Sequence, residues 1–125
     1  MLVIIKFIKM NKLLFFLFTL VLVSACNHKN NPAGLSGMPP CMVTKIEEMK
    51  TGPQANQPQS VTQYTYKGTA VFYIVAGCCD QFNPVYNSDC DYLGAPDGGI
   101  TGKGDGKIPD FHAEATNKKV VWENK

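Results

Sequence analysis

An apolar run over 13–23 (LLFFLFTLVLV) decides how much of this chain is available to fold. Lys12 precedes it, and the small residues Ser24 and Ala25 follow. A bilayer span needs ~20 apolar residues rising 1.5 Å each, so the run is too short to cross. It has the length of the core of a cleaved signal peptide, about 7–15 residues. The signal is expected to start at Met10, with residues 1–9 as an upstream start or an extended front region. With 1–25 set aside, 100 of the 125 residues remain, room for one domain at most. A domain that small buries a limited core and commonly needs cross-links.

The residue after the small pair is Cys26, and Val23-Ser24-Ala25-Cys26 resembles the lipobox read by lipoprotein signal peptidase. Val23 stands where Leu is commoner. The resemblance implies that the Cys26 sulfur takes a diacylglycerol, that the chain is cut before it, and that the new amine is acylated. Each buried methylene contributes about 0.8 kcal/mol, so two or more acyl chains anchor stably where one is marginal. The plainer alternative is an ordinary signal with a chance cysteine. Membrane lipid, reached through Cys26, is the first expected partner.

Removing the signal changes the charge. All twelve basic residues are lysines, and Lys6, Lys9 and Lys12 leave with it, so nine lysines face ten acids. The basic balance of the whole chain therefore says nothing about partners. No arginine occurs. Arginine forks are the usual readers of phosphate and guanine edges, so nucleic acid is not expected as a partner.

Four cysteines remain after Cys26: Cys41, Cys78, Cys79 and Cys90. An even count in an exported chain reads as two disulfides, with three possible pairings. Adjacent side chains on a strand point to opposite faces, which argues against a Cys78–Cys79 bond. Cys41 is then expected to pair with one of the two adjacent cysteines and Cys90 with the other.

Residues 26–39 are polar with Gly and Pro and read as a flexible tether, His28 included. The domain is expected over 40–125. Pro39-Pro40 can open a helix, in which Met42, Val43, Ile46 and Met49 recur at helical spacing until Gly52-Pro53 stops it. Residues 60–67 and 69–77 read as two strands, joined at Lys67-Gly68 as a hairpin. That register sets Tyr64 opposite Val71 and Thr62 opposite Tyr73. Val61, Phe72, Ile74 and Ala76 then share the other face. Residues 78–107 lack periodicity and read as a long Gly/Asp-rich loop held at its start by the disulfides. A short helix from Ile108 and a last strand over 119–123 complete the chain. The fold class expected is α+β: one helix on an antiparallel sheet, with a disulfide-pinned loop.

All six aspartates lie in or just after that loop, with five glycines between 98 and 106. Carboxylates on a glycine-permissive loop suit calcium, which takes six to eight oxygens. Asp80, Asp89, Asp91, Asp97 and Asp105 are the candidate ligands, although the alternating acids of an EF-hand are missing. The simpler reading is that Asp and Gly are turn residues here. Gly102-Lys103 lacks the rest of a P-loop. A zinc set of Cys78, Cys79, Cys90 and His112 matches no common spacing, and cysteines in disulfides neither ligate nor attack. His112 reads as structural or exposed. No cofactor is expected unless calcium binds. No catalytic residue is assigned and the protein is not expected to be an enzyme.

Two runs carry a family resemblance: Cys78-Cys79-Asp80-Gln81-Phe82-Asn83, and Ala95-Pro96-Asp97-Gly98-Gly99-Ile100-Thr101-Gly102-Lys103-Gly104-Asp105-Gly106. They resemble small lipoproteins of Bacteroidota that share a domain with an adjacent-cysteine motif and a Gly-Asp loop. The likeness covers about 41–122. That family has no assigned activity, so it implies no functional residues. It implies a two-membrane host and a lipid-anchored envelope location. No acidic residue follows Cys26 closely, which favours the periplasmic face of the outer membrane over surface export. The expected role is a structural or binding module with an envelope protein or glycan as partner. The rivals are a calcium-stabilised adhesion or carbohydrate-binding module, and an inhibitor of a periplasmic hydrolase.

Overall fold

The computed structural model describes residues 35–125. The signal-like segment and Cys26 lie outside the described residues. Helix α1 spans Pro40–Lys50 and a 3₁₀ turn follows at Gln54–Asn56. Strands β1 (Pro58–Tyr66), β2 (Thr69–Ala76), β3 (Phe82–Asn87) and β4 (Tyr92–Gly98) come next, then the one-turn helix α2 (Phe111–Glu114) and β5 (Thr116–Glu123). The strands form one five-stranded antiparallel sheet in the order β4-β3-β2-β1-β5.

Pro39 caps α1 and Pro40 opens it, where a missing N–H costs nothing. Met42, Val43 and Ile46 are its buried residues. They pack with Val61, Phe72 and Ile74 on one sheet face. Burying a side chain of this size contributes roughly 1.5–3 kcal/mol, which is what keeps so short a helix formed. The β1–β2 hairpin turns on Lys67 and Gly68, at φ 49° and 80°. Positive φ at both central residues is the two-residue turn whose twist suits a hairpin. Its register pairs Tyr64 with Val71 and Thr62 with Tyr73, the pairing the sequence predicts.

The opposite face carries a second core of Tyr66, Val71, Val85, Ile108 and Phe111. Phe111 of α2 is fully buried, with the rings of Tyr64, Tyr66 and Tyr73 at 5.4, 5.2 and 5.9 Å. One face is thus covered by α1, and the other by the segment leading into α2.

Four expectations need correction. The tether reading of 26–39 runs too far, because Leu35 and Met38 are buried in the α1 core. A Gly/Pro-rich local composition hid two apolar anchors.

The stretch 78–107 is not one loop, since half of it is the β3–β4 hairpin. Pro84, Gly94 and Pro96 erase the strand signal, and the register shifts beside Val85 absorb the irregularity. The remaining loop runs from Gly99 to Asp110.

The last strand begins at Thr116 rather than 119, carried by pairing with β1.

The disulfides are Cys41–Cys90 and Cys78–Cys79. The first joins the start of α1 to the β3–β4 turn, with Cα atoms 6.1 Å apart, inside the bridging range. The second exists because β2 ends at Ala76, so the two adjacent cysteines are not on a strand. Cys79 and Asp80 turn the chain at φ 59° and 49°, and the strand rule of alternating faces no longer applies.

Candidate functional site

Three tyrosines on the sheet each hold one aspartate of the segment 97–110. Tyr66 closes β1, and its hydroxyl donates to Asp110 Oδ1 at 2.6 Å. Lys67 Nζ lies 2.9 Å from Asp110 Oδ2. Tyr92 of β4 donates to Asp105 Oδ2 at 2.6 Å. Asp105 Oδ1 accepts from the amides of Ala95 and Lys107, at 3.0 and 3.1 Å. Tyr73, in β2, donates to both oxygens of Asp97, at 3.0 and 2.9 Å. Asp97 also accepts from Asn83 Nδ2 at 2.5 Å and His112 Nε2 at 2.6 Å.

These contacts shift protons in a consistent sense. The Tyr66 hydroxyl, then Lys67, hold the Asp110 carboxyl down at about 2. The Tyr92 hydroxyl, then the Ala95 amide, do the same for Asp105, also at about 2. Burial first, and then the Asp105 carboxylate, push the Tyr92 hydroxyl up to about 12. Burial and Asp97 raise Tyr73 in the same way. A hydroxyl beside a carboxylate shares its proton as a charge-assisted bond, stronger than a neutral one.

Backbone contacts fix the loop further. Gly99 N–H donates to the Gln81 carbonyl, Gly102 N–H to Gly99, Gly104 N–H to Gly98 and Asp105 N–H to Ala95, all between 2.9 and 3.1 Å. The loop so runs back along β4 and covers that edge strand, the usual liability of an open sheet. The approach is tight at Gly104, at φ 70°, where a Cβ would fall on the Ala95 carbonyl.

The candidate calcium ligands are not brought together. Asp97 and Asp105 belong to separate clamps. Asp91 accepts from Asn87 Nδ2; Asp89 lies exposed in the β3–β4 turn, and Asp80 is exposed beside the adjacent cysteines. Among the described residues no three His, Cys, Asp or Glu side chains form a metal-sized group. The tyrosines, Asn83 and Asp110 are the partners that sequence reasoning missed. The one available signal was that the tyrosines on alternating strand positions, Tyr64, Tyr66 and Tyr73, share a face.

His112 is half-exposed, with Asp97 orienting its ring. That is an oriented His–carboxylate pair, but among the described residues no serine, threonine or cysteine is hydrogen-bonded to the ring.

Exposed apolar side chains gather at the end of the sheet where Phe82 pairs with Gly98. Ile100 sits in the turn between Gly99 and Gly102 and is 89% exposed. Phe82, 48% exposed, lies so close over Gly99 that a Cβ there would meet its ring. A shallow groove of about 350 Å³ continues from Phe82 past Pro84 and Tyr86 to Lys45 and Met49 of α1.

Comparison with curated proteins and with solved structures finds no match. The family model described as a domain of unknown function (DUF6970) matches residues 47–124. The match takes in all three tyrosine–aspartate clamps, the adjacent cysteines and the Ile100 turn, and the chain belongs to that family.

Proposed function

We propose that this is a lipid-anchored cell-envelope protein of Bacteroidota. Acylated Cys26 holds it to the periplasmic face of the outer membrane, and the clamped loop acts as a non-catalytic docking element. The observation carrying this reading is Ile100: a large apolar side chain 89% exposed, on a turn fixed by backbone bonds to Gln81 and Gly98. An exposed apolar residue on a preordered turn loses little entropy on binding. Such anchors, buried in a partner pocket, dominate protein interfaces.

A photo-crosslinking amino acid at position 100 tests the reading in the native envelope. One discrete protein adduct, lost when Phe82 is changed to Asp, is the expected result; absence of any protein adduct refutes it. Palmitate labelling that disappears in Cys26→Ala tests the anchor separately.

A second reading is favoured by the same projecting side chain. Ile100 would enter the apolar pocket of an envelope hydrolase, making the protein its inhibitor. Identification of the crosslinked partner decides between the two.

A further inference from the structure

We propose that the Cys78–Cys79 bridge is a site of thiol–disulfide exchange, whose redox state sets the position of the turn carrying Ile100. The two disulfides of this domain differ in kind. Cys41–Cys90 joins residues 49 apart in sequence and restricts the unfolded chain strongly. Cys78–Cys79 joins neighbours. It closes a ring around a single peptide unit and cannot hold distant elements together. Its effect is local, on the backbone between β2 and β3.

Both cysteines are exposed; in the other bridge Cys41 is exposed as well, and Cys90 is partly buried against the α1 core. Exchange requires a thiolate to reach a bridge sulfur, and both residues of Cys78–Cys79 offer that access against one of Cys41–Cys90. The local backbone is unusual as well. Cys79 and the next residue, Asp80, lie in the left-handed region, which few non-glycine residues adopt. The ring confines that geometry, and opening it frees the turn.

The turn is wired to the loop on the next strand pair. The carbonyl of Gln81, two residues after the bridge, accepts from Gly99 N–H at 3.0 Å. Phe82 follows and packs on Gly99. A change of path at Cys79 therefore moves the acceptor that holds Gly99, and with it Ile100.

The reductant is a dithiol, two thiols on one envelope partner. Its first thiolate attacks one bridge sulfur, and the S–S bond breaks as a mixed disulfide forms. The displaced cysteine leaves as thiolate and takes a proton. The partner's second thiolate then attacks the mixed disulfide, expels the other cysteine, and becomes the partner's own disulfide. Two electrons and two protons pass to Cys78 and Cys79; re-oxidation is the reverse.

The test titrates the purified full chain with dithiothreitol, quenches with acid, alkylates and maps the labelled peptides. Cys78 and Cys79 are expected to label at least ~10-fold faster than Cys41 and Cys90. On selectively reduced protein, amide exchange at Gly99 and Gly102 is expected to rise at least ~10-fold while β1 and β2 stay protected. Cys78→Ser/Cys79→Ser should show the fast Gly99 exchange with or without reductant. Simultaneous reduction of both bridges overturns the proposal, as does an unchanged Gly99 after selective reduction or in the double variant. Neither readout depends on what Ile100 binds, so the docking proposal and this one fail separately.

Discussion

At the residue scale, the aspartates are the instructive case. Asp97 and Asp105 sit on a glycine-rich loop of the kind that suits calcium, and the fold gives each of them, and Asp110, a tyrosine hydroxyl instead. Geometry decides between the two uses: a cation needs the carboxylates pointed at one centre, whereas hydroxyls reach them one at a time from successive strands. Tyr73 is the most informative position, because it is half-buried and donates to both oxygens of Asp97. A hydrogen bond to a charged group contributes about 1.5–3 kcal/mol, and partial exposure lowers that figure. Tyr73→Phe is expected to reduce unfolding stability by about 1–2 kcal/mol, read from urea midpoints at constant slope. An unchanged midpoint would show the Asp97 clamp to be decorative. Asn83 and His112 keep Asp97 partnered in that variant, so the chain should still fold.

At the element scale, two pairs of substitutions separate tight from loose parts of the loop and strong from weak cross-links. Gly102 and Gly104 both have positive φ, but a Cβ at Gly102 meets open space while one at Gly104 meets the Ala95 carbonyl. Gly102→Ala is expected to cost about 1 kcal/mol from backbone conformation alone. Gly104→Ala adds a clash that must separate the loop from β4, and its melting temperature should fall by clearly more. Equal melting temperatures would mean that the loop does not lie against the strand. For the disulfides, the chain-entropy relation assigns about 4 kcal/mol to closing a loop of the Cys41–Cys90 length and about 1 kcal/mol to adjacent cysteines. Cys41→Ser/Cys90→Ser should therefore destabilise far more than Cys78→Ser/Cys79→Ser in a guanidinium titration. The reverse order would show that the adjacent pair holds more than its own turn.

At the scale of the whole molecule, the two depressed carboxyls predict an acid limb of stability. Asp105 and Asp110 titrate at about 2 in the folded chain against an ordinary 3.8, so the unfolded state binds protons first as pH falls. Their contribution is complete above the ordinary value and is lost as pH drops from about 4 through 2. Tyr92 acts on the other side: its folded hydroxyl, raised from 10.0 to about 12, contributes below pH 10 and loses that contribution as pH rises past it. Melting temperature against pH should show a plateau between these limbs. Asp105→Asn/Asp110→Asn should flatten the acid limb, and a limb of unchanged depth would place the acid sensitivity elsewhere. Among the described residues no helix is long and apolar enough to cross a membrane.

Local signals in the sequence determined the elements whose periodicity is undisturbed. Pro39-Pro40 and the Met42–Val43–Ile46 spacing mark α1, and Lys67-Gly68 between apolar runs marks the β1–β2 hairpin and its register. These depend on neighbours within a few residues, which is what a sequence displays. Tertiary structure alone decided the β3–β4 hairpin, whose Pro84 and Gly94 look like loop until β3 pairs with β2 and β4 with β3. It also decided the disulfide pairing, because Cys41 meets Cys90 only once α1 lies across the sheet. The partner of each aspartate was settled the same way, since a carboxylate takes the donor that folding brings within 3 Å, whatever its distance along the chain.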